Sequence, residues 1–324
     1  MRILITGGAG FLGSALARRL LADGVAGTRV EQIVLFDRAP PATPCTDPRC
    51  RALTADIDDA SALAEAIGTD ITHIVHLAAV VSGQAEADFD LGMRVNVDAT
   101  RLILERARAL GTAPRVVFTS SVAAFGGNLP ARLPDDARTL PQSSYGVQKV
   151  IGELLVGDYS RKGFIDGVTL RVPTISVRPG APNRAASGFA SGIVREPVAG
   201  QPAVCPVSTD TRMWLQSPRR AVDNLVHAIG LDSAALGTDR TVSLPGLSVT
   251  VGEMIDALRE VAGAEVAGLI RHERDPAVEA IVASWPGDFT AERARALGFV
   301  ADRDFASIVR DHIADTAALA RAAI

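Results

Sequence analysis

Of 324 residues, only two are tyrosines (Tyr145, Tyr159) and only two are lysines (Lys149, Lys162); every other member of the 33 basic residues is arginine. Aromatic residues make up 4% of the chain. The three cysteines, Cys45, Cys50 and Cys205, form no Cys-x-x-Cys pair. An odd number of unpaired thiols argues against a disulfide framework or a zinc site, and fits a reducing, cytoplasmic setting. His272 and His312 lack partners at metal-ligand spacing, so no metal is expected. No apolar run reaches membrane-spanning length, and Gly7, Gly8, Gly10 and Gly13 interrupt what might pass for a signal-peptide core. A net charge of −4 with interspersed signs leaves no basic footprint for nucleic acid or an anionic membrane. No internal repeat is evident.

What is present is ample apolar matter, 48% of the chain, enough for a sizeable core. Arg2 to Thr6 has a buried-strand pattern, and Gly7-Gly8-Ala9-Gly10-Phe11-Leu12-Gly13 follows at once, leading into a helix that ends near Gly24. Glycines at a strand-to-helix junction permit a tight turn, let a pyrophosphate approach the backbone, and place the helix N-terminus toward its charge. A second strand, Gln32 to Asp37, ends in a carboxylate placed to bind an adenosine ribose and repel a 2′-phosphate. That favours NAD over NADP, although Arg38 beside it could bind such a phosphate.

Residues 39–50 form a proline-rich loop, followed by a strand from Arg51 to Ala55 and a helix from about Asp59 to Ile67. The strand His73 to Leu77 ends in Ala78-Ala79, small residues that leave room for a flat ligand. His76 inside that strand reads as a satisfied core residue. A long helix containing Asn96 is expected to run to about Leu110, and a fifth strand from Arg115 delivers Ser120-Ser121 at its end, hydroxyls suited to a substrate oxygen. Val168 to Val172 is a sixth strand. Alternating strands and helices predict an α/β fold, a doubly wound parallel sheet (Rossmann) over residues 1–172. Beyond Pro173 the alternation breaks, which predicts a smaller, irregular C-terminal substrate lobe over 173–324, with 221–247 returning to the first sheet. Thr250 with Glu253 makes a capping box, and helices are expected over 290–298 and 304–322.

The central stretch is Ser143-Ser144-Tyr145-Gly146-Val147-Gln148-Lys149. Either serine suits an N-cap, and apolar residues follow at helical spacing. Tyr145 and Lys149, four apart, then share one helix face. A free tyrosine titrates near 10, and a neighbouring ammonium favours its phenolate, so the pair can act as a general base. An arginine fork matches carboxylates, which makes Arg178 and Arg212, with Trp214 beside the latter, candidates for gripping an acidic substrate. Each of the three also reads as an ordinary packing or surface residue.

Together, Thr6-Gly7-x-x-Gly10-x-x-Gly13, Asp56-Ile57, His76-Leu77-Ala78-Ala79, Asn96, Ser121 and Tyr145-x-x-x-Lys149 resemble the extended short-chain dehydrogenases/reductases, and the resemblance spans the whole chain. It implies a catalytic set of Ser121, Tyr145 and Lys149. It also implies a cofactor site drawn from Gly7, Gly10, Phe11, Leu12, Gly13, Asp37, Asp56, Ile57, Leu77, Ala78, Ala79, Asn96, Pro173, Thr174 and Ile175, with Tyr145 and Lys149. Homodimers built on helices near 85–110 and 143–161 are usual in the family. Many members epimerise or dehydrate nucleotide sugars. Here Val122-Ala123-Ala124 replaces the acidic residue that dehydratases carry after the strand-end serine, and Val172-Pro173-Thr174-Ile175 replaces the usual nucleotide-sugar run. Residues 79–90 and 173–206 instead resemble a branch that oxidises the C2 hydroxyl of a four-carbon sugar acid with NAD. On that reading Ser82, Ser121, Tyr145, Thr174, Arg178 and Arg212 face the substrate. The alternatives are an epimerase with tightly held NAD and a non-catalytic dinucleotide-binding protein.

Overall fold

In the computed structural model, which describes residues 1–181 and 185–322, the central sheet has seven strands, all parallel. They are β1 (Arg2–Thr6), β2 (Gln32–Asp37), β3 (Cys50–Thr54), β4 (His73–His76), β5 (Arg115–Ser121), β6 (Asp166–Val172) and, returning from the second half, Thr241–Ser243. Their spatial order is Thr241–Ser243, β6, β5, β4, β1, β2, β3, so the winding reverses between β1 and β4. In open α/β sheets ligands bind at such a reversal, beyond the carboxyl ends of the strands.

Side chains alternate across the sheet and are apolar on both faces, as a doubly covered parallel sheet requires. Ile3, Ile5, Val117 and Leu170 pack beneath the helices Phe11–Asp23 and Pro218–Gly230. Leu4, Val34, Ile74 and Phe118 pack against Leu63, Ile103, Leu104 and Val156 on the opposite face. Phe289, Ala291, Ala294 and Phe299, late in the chain, also join the first of these cores.

The C-terminal half has a core of its own. It gathers Phe189, Ile193, Met213, Leu215, Met254, Leu258 and Ile308 around a three-stranded sheet of Thr174–Ile175, Arg212–Gln216 and Leu247–Thr250. A two-stranded sheet, Ala203–Cys205 with Ile270–His272, lies beside it. The Thr250–Glu253 capping box forms, opening the helix Val251–Ala262. The expected helix over 290–298 shrinks to Glu292–Ala296. Of the 173–206 segment, residues 182–184 lie outside the described residues.

The long helix expected up to Leu110 is broken. Ser82–Ala87 ends at Asp88, whose side chain caps the next turn, Phe89–Gly92, and Met93–Asp98 is a π-helical turn before Ala99–Ala109 resumes. The widened turn buries Asn96, whose amide accepts from Val80 N at 2.8 Å and donates to Val80 O at 3.1 Å and to Gln148 Oε1 at 2.7 Å. Such bulges concentrate at functional sites because they re-aim one side chain out of helical register.

His76 is a satisfied core residue. Thr100 donates its hydroxyl hydrogen to Asn96 O, so His76 Nε2 donates to Thr100 Oγ1 at 2.9 Å and Nδ1 accepts from Thr6 Oγ1 at 2.6 Å. Burial, with the Lys149 charge nearby, lowers its pKa to about 3. The unfolded chain binds this proton near 6.5 and the native state does not until about 3, so stability falls as pH drops through that window. At pH 5 the loss from this one residue should be about 2 kcal/mol relative to pH 7. Urea denaturation across that range should show a shallower decline in His76→Gln than in the parent; equal slopes would contradict the assignment.

Candidate active site

The carboxyl end of β5 supplies Thr119-Ser120-Ser121, and the helix Ser144–Arg161 begins alongside. Ser143 proves to be its N-cap, accepting from Gly146 N at 3.2 Å, while Glu86 Oε2 accepts from Ser144 N at 2.9 Å. Gly146 lets the helix settle onto the strand end, since a Cβ there would stand 2.1 Å from Ala123 O. The face so presented carries Tyr145 and Lys149 into one cavity of about 220 Å³ together with Ser121.

Lys149 is buried, and its Nζ donates to Thr119 O at 2.9 Å. The ammonium lies 4.9 Å from the Phe118 ring centre and 5.6 Å from that of Tyr145. Burial lowers its pKa to about 8, opposed by Glu153. Burial also pushes the Tyr145 phenol up to about 12, with a hydrogen bond to Ser121 and the charge of Arg178 pulling it back. From their spacing, Lys149 is the group expected to dominate that phenol. Desolvation outweighs it, and the phenol keeps its proton. The groups that favour its ionisation are Ser121 and Arg178.

Arg178, on the loop after Thr174–Ile175, lines the same cavity, with Ser82, Pro173, Thr174 and Ile175. Burial lowers its pKa, and the Arg195 charge adds to this while Tyr145 opposes it. Its backbone is fixed by Arg178 N donating to Ser191 Oγ at 3.0 Å and Arg195 Nη1 donating to Arg178 O at 2.9 Å. Ser82 Oγ accepts from Ala186 N at 3.3 Å. Arg212, the other expected clamp, is not brought to this cavity. It is exposed on its strand, with Nη1 3.3 Å from Ser248 Oγ. Trp214 is core, donating to Leu244 O. Trp285 and Ser187 do line the cavity, and no local pattern in the chain marks either.

A second cavity of about 420 Å³ shares Leu77 and Ala79 with the first and is lined by Gly7, Gly10, Asp37, Asp56, Ile57 and Ala78. These residues fit a dinucleotide. The helix Phe11–Asp23 has no side-chain cap, leaving its first N–H groups for an anion, and the nearest atom to a Cβ built on Gly10 is Gly7 O at 3.1 Å. Phe11 and Leu12 reach the catalytic cavity. Asp37 is oriented by Ala9 N at 3.1 Å and Ala39 N at 3.4 Å, leaving acceptor capacity for ribose hydroxyls. Asn96 lines neither cavity; it holds the backbone of Val80, which does. Gly13 is the packing glycine, where a Cβ would fall 2.3 Å from Gly7 O. Gly13→Ala should therefore weaken NAD binding at least about tenfold by calorimetry, since the loop must shift; unchanged affinity would contradict this.

The family model described as "NAD dependent epimerase/dehydratase family" matches residues 3–217. The chain is 56% identical to D-erythronate dehydrogenase of Cupriavidus necator, over 97% of this chain and 98% of that one. It is 45% identical to D-erythronate dehydrogenase of Haemophilus influenzae, over 97% and 99% of the two chains. Among solved structures, a nucleoside-diphosphate-sugar epimerase from Agrobacterium tumefaciens superposes with a TM-score of 0.91 at 47% identity, covering 97% of this chain and 94% of that one. An L-threonine dehydrogenase from Cupriavidus necator in its holo form superposes with a TM-score of 0.86 at 26% identity, covering 98% and 100%. With its glycine loop, strand-end serine and Tyr-Lys pair assembled at one cleft, this chain belongs to the NAD-dependent epimerase/dehydratase family.

Proposed function

We propose that the protein oxidises the C2 hydroxyl of a small 2-hydroxy sugar acid with NAD, converting D-erythronate to 2-dehydro-D-erythronate. The observation that carries this reading is the pairing of Arg178 with Tyr145 in one small cavity. A 2-hydroxy acid presents an alcohol and a carboxylate on adjacent carbons, and these two side chains answer them with a base and a cation. The similarity to the two D-erythronate dehydrogenases supports the same substrate. A cavity of about 220 Å³ suits a four-carbon acid better than a nucleoside diphosphate sugar.

Bound NAD supplies the hydride acceptor and a positive ring within the cleft. Ser121 holds the reacting hydroxyl, Lys149 offsets the charge of the Tyr145 phenolate, and that phenolate takes the hydroxyl proton and becomes neutral as the C2 hydride leaves for the nicotinamide. Arg178 fixes the carboxylate through charge-assisted hydrogen bonds. Thr174 and Ser82 close the walls around the substrate. We assign the NAD-binding unit to 1–172 with 221–247, and the substrate lobe to the remainder of 173–324. Cytoplasmic location fits the thiol content, and no described helix is long and apolar enough to cross a membrane. A homodimer through the Ser144–Arg161 helix fits Leu154, an apolar side chain 70% exposed there.

Tyr145→Phe should lower kcat by about 10²–10⁴-fold while NAD affinity stays within about threefold. NADH formation, followed by absorbance with a panel of four- to six-carbon sugar acids, is the assay. Steady accumulation with D-erythronate and none with UDP-sugars excludes the epimerase. Arg178→Met should raise KM for the acid roughly 10–100-fold, the worth of a charged hydrogen bond. Turnover should climb with pH as Tyr145 ionises and level off above about 8, the start of the alkaline limb, as Lys149 loses its proton. A rate that keeps rising through pH 10 would contradict a charged Lys149.

A further inference from the structure

Three consecutive residues at the end of β5 each meet one of three residues spaced four apart on the Ser144–Arg161 helix. Ser121 lines one cavity with Tyr145, Thr119 O accepts from Lys149 Nζ, and Ser120 Oγ donates to Glu153 Oε1 at 2.5 Å. The Glu153 side chain is 5% exposed and is gripped from β6 by Arg171, Nε to Oε1 at 2.9 Å and Nη2 to Oε2 at 2.6 Å. The Arg171 guanidinium in turn stacks on Phe125, 4.7 Å from the ring centre. Glu153 does not line the catalytic cavity. A buried ion pair adds little net stability, because desolvation offsets most of its attraction, so stability alone does not account for this one.

We propose that Glu153 is a positioning residue of the reaction: through Ser120 it registers the strand end against the helix, and it places a carboxylate one turn beyond Lys149. The proposal rests on Tyr145 and Lys149 as the reacting pair. The groups facing Lys149 are few. Tyr145 and Glu153 share its helix; Phe118 and Thr119 O come from β5; neutral His76 comes from β4. Arg171 approaches Glu153 from β6, Arg178 approaches Tyr145 from the other lobe, and the π-helical turn contributes the uncharged Asn96 through Gln148. Among these only Glu153 is a carboxylate. Removing its charge leaves the ammonium in a buried site with Arg171 and Arg178 nearby, so Lys149 gives up its proton at lower pH.

The test compares pH profiles of NADH formation from pH 6 to 10 for the parent, Glu153→Gln and Glu153→Asp, with the sugar acid that turns over, and NAD affinity measured by fluorescence. In Glu153→Gln the alkaline limb should move about half a unit to one unit lower, with NAD affinity within about twofold. Glu153→Asp keeps the charge but shortens the reach to Ser120; its limb should stay in place while kcat falls severalfold. A Glu153→Gln profile that superimposes on the parent overturns the proposal. If that variant does not fold by circular dichroism, a Glu153→Asp enzyme with the parent's kcat overturns it instead. Tyr145→Phe is run alongside: turnover retained there refutes the reacting pair itself, whatever the position of the Glu153 limbs.

Discussion

The hydrogen bond from Lys149 to Thr119 O is the contact on which the rest of the cleft depends. It buries an ammonium at the carboxyl end of the central strand, where a cation is costly unless a ligand or a carboxylate compensates it. The same burial holds the Tyr145 phenol in its protonated form. A positive nicotinamide ring beside Tyr145 would oppose that burial and favour the phenolate. The base is thus linked to its surroundings by a balance of desolvation against neighbouring positive charge.

Several elements far apart in the chain converge to make that link. The π-helical turn re-aims Asn96 so that its amide satisfies both backbone groups of Val80, pinning the segment that separates the two cavities. Glu86, from the short helix before it, caps the first turn of the Tyr145 helix. The substrate segment and the catalytic helix are thus tied at two points, and neither tie touches a reacting atom. From the other lobe, Ser191 and Arg195 fix the backbone of Arg178. The arginine is delivered by tertiary packing, and the base by local helix geometry.

This division explains what could be read without a structure. The glycine loop, Asp37, Ser121 and the Tyr145–Lys149 pair are set by chain-local rules: a turn that needs glycine, a strand that ends in a polar residue, a helix that stacks i on i+4. Each is found where those rules place it. Arg178 and Arg212 could not be separated by such rules, because both are arginines in an irregular lobe whose fold depends on long-range packing. Only one reaches the cavity. Asn96, expected among the cofactor residues, lines neither cavity and clamps the Val80 backbone instead, because helical periodicity cannot foresee a π-helical turn. Thr119 acts through its carbonyl, which no side-chain pattern reveals, and Trp285 arrives from a distant turn.

With only two tyrosines in the chain, ionisation of Tyr145 can be watched directly by carbon NMR of ring-labelled tyrosine, using Tyr159→Phe to assign the signal. The account predicts that Tyr145 titrates near 12 in the ligand-free protein and at least about two units lower with NAD and a non-reacting sugar-acid analogue bound. A titration that does not move when the cleft is filled, or one already near neutral when it is empty, would contradict it.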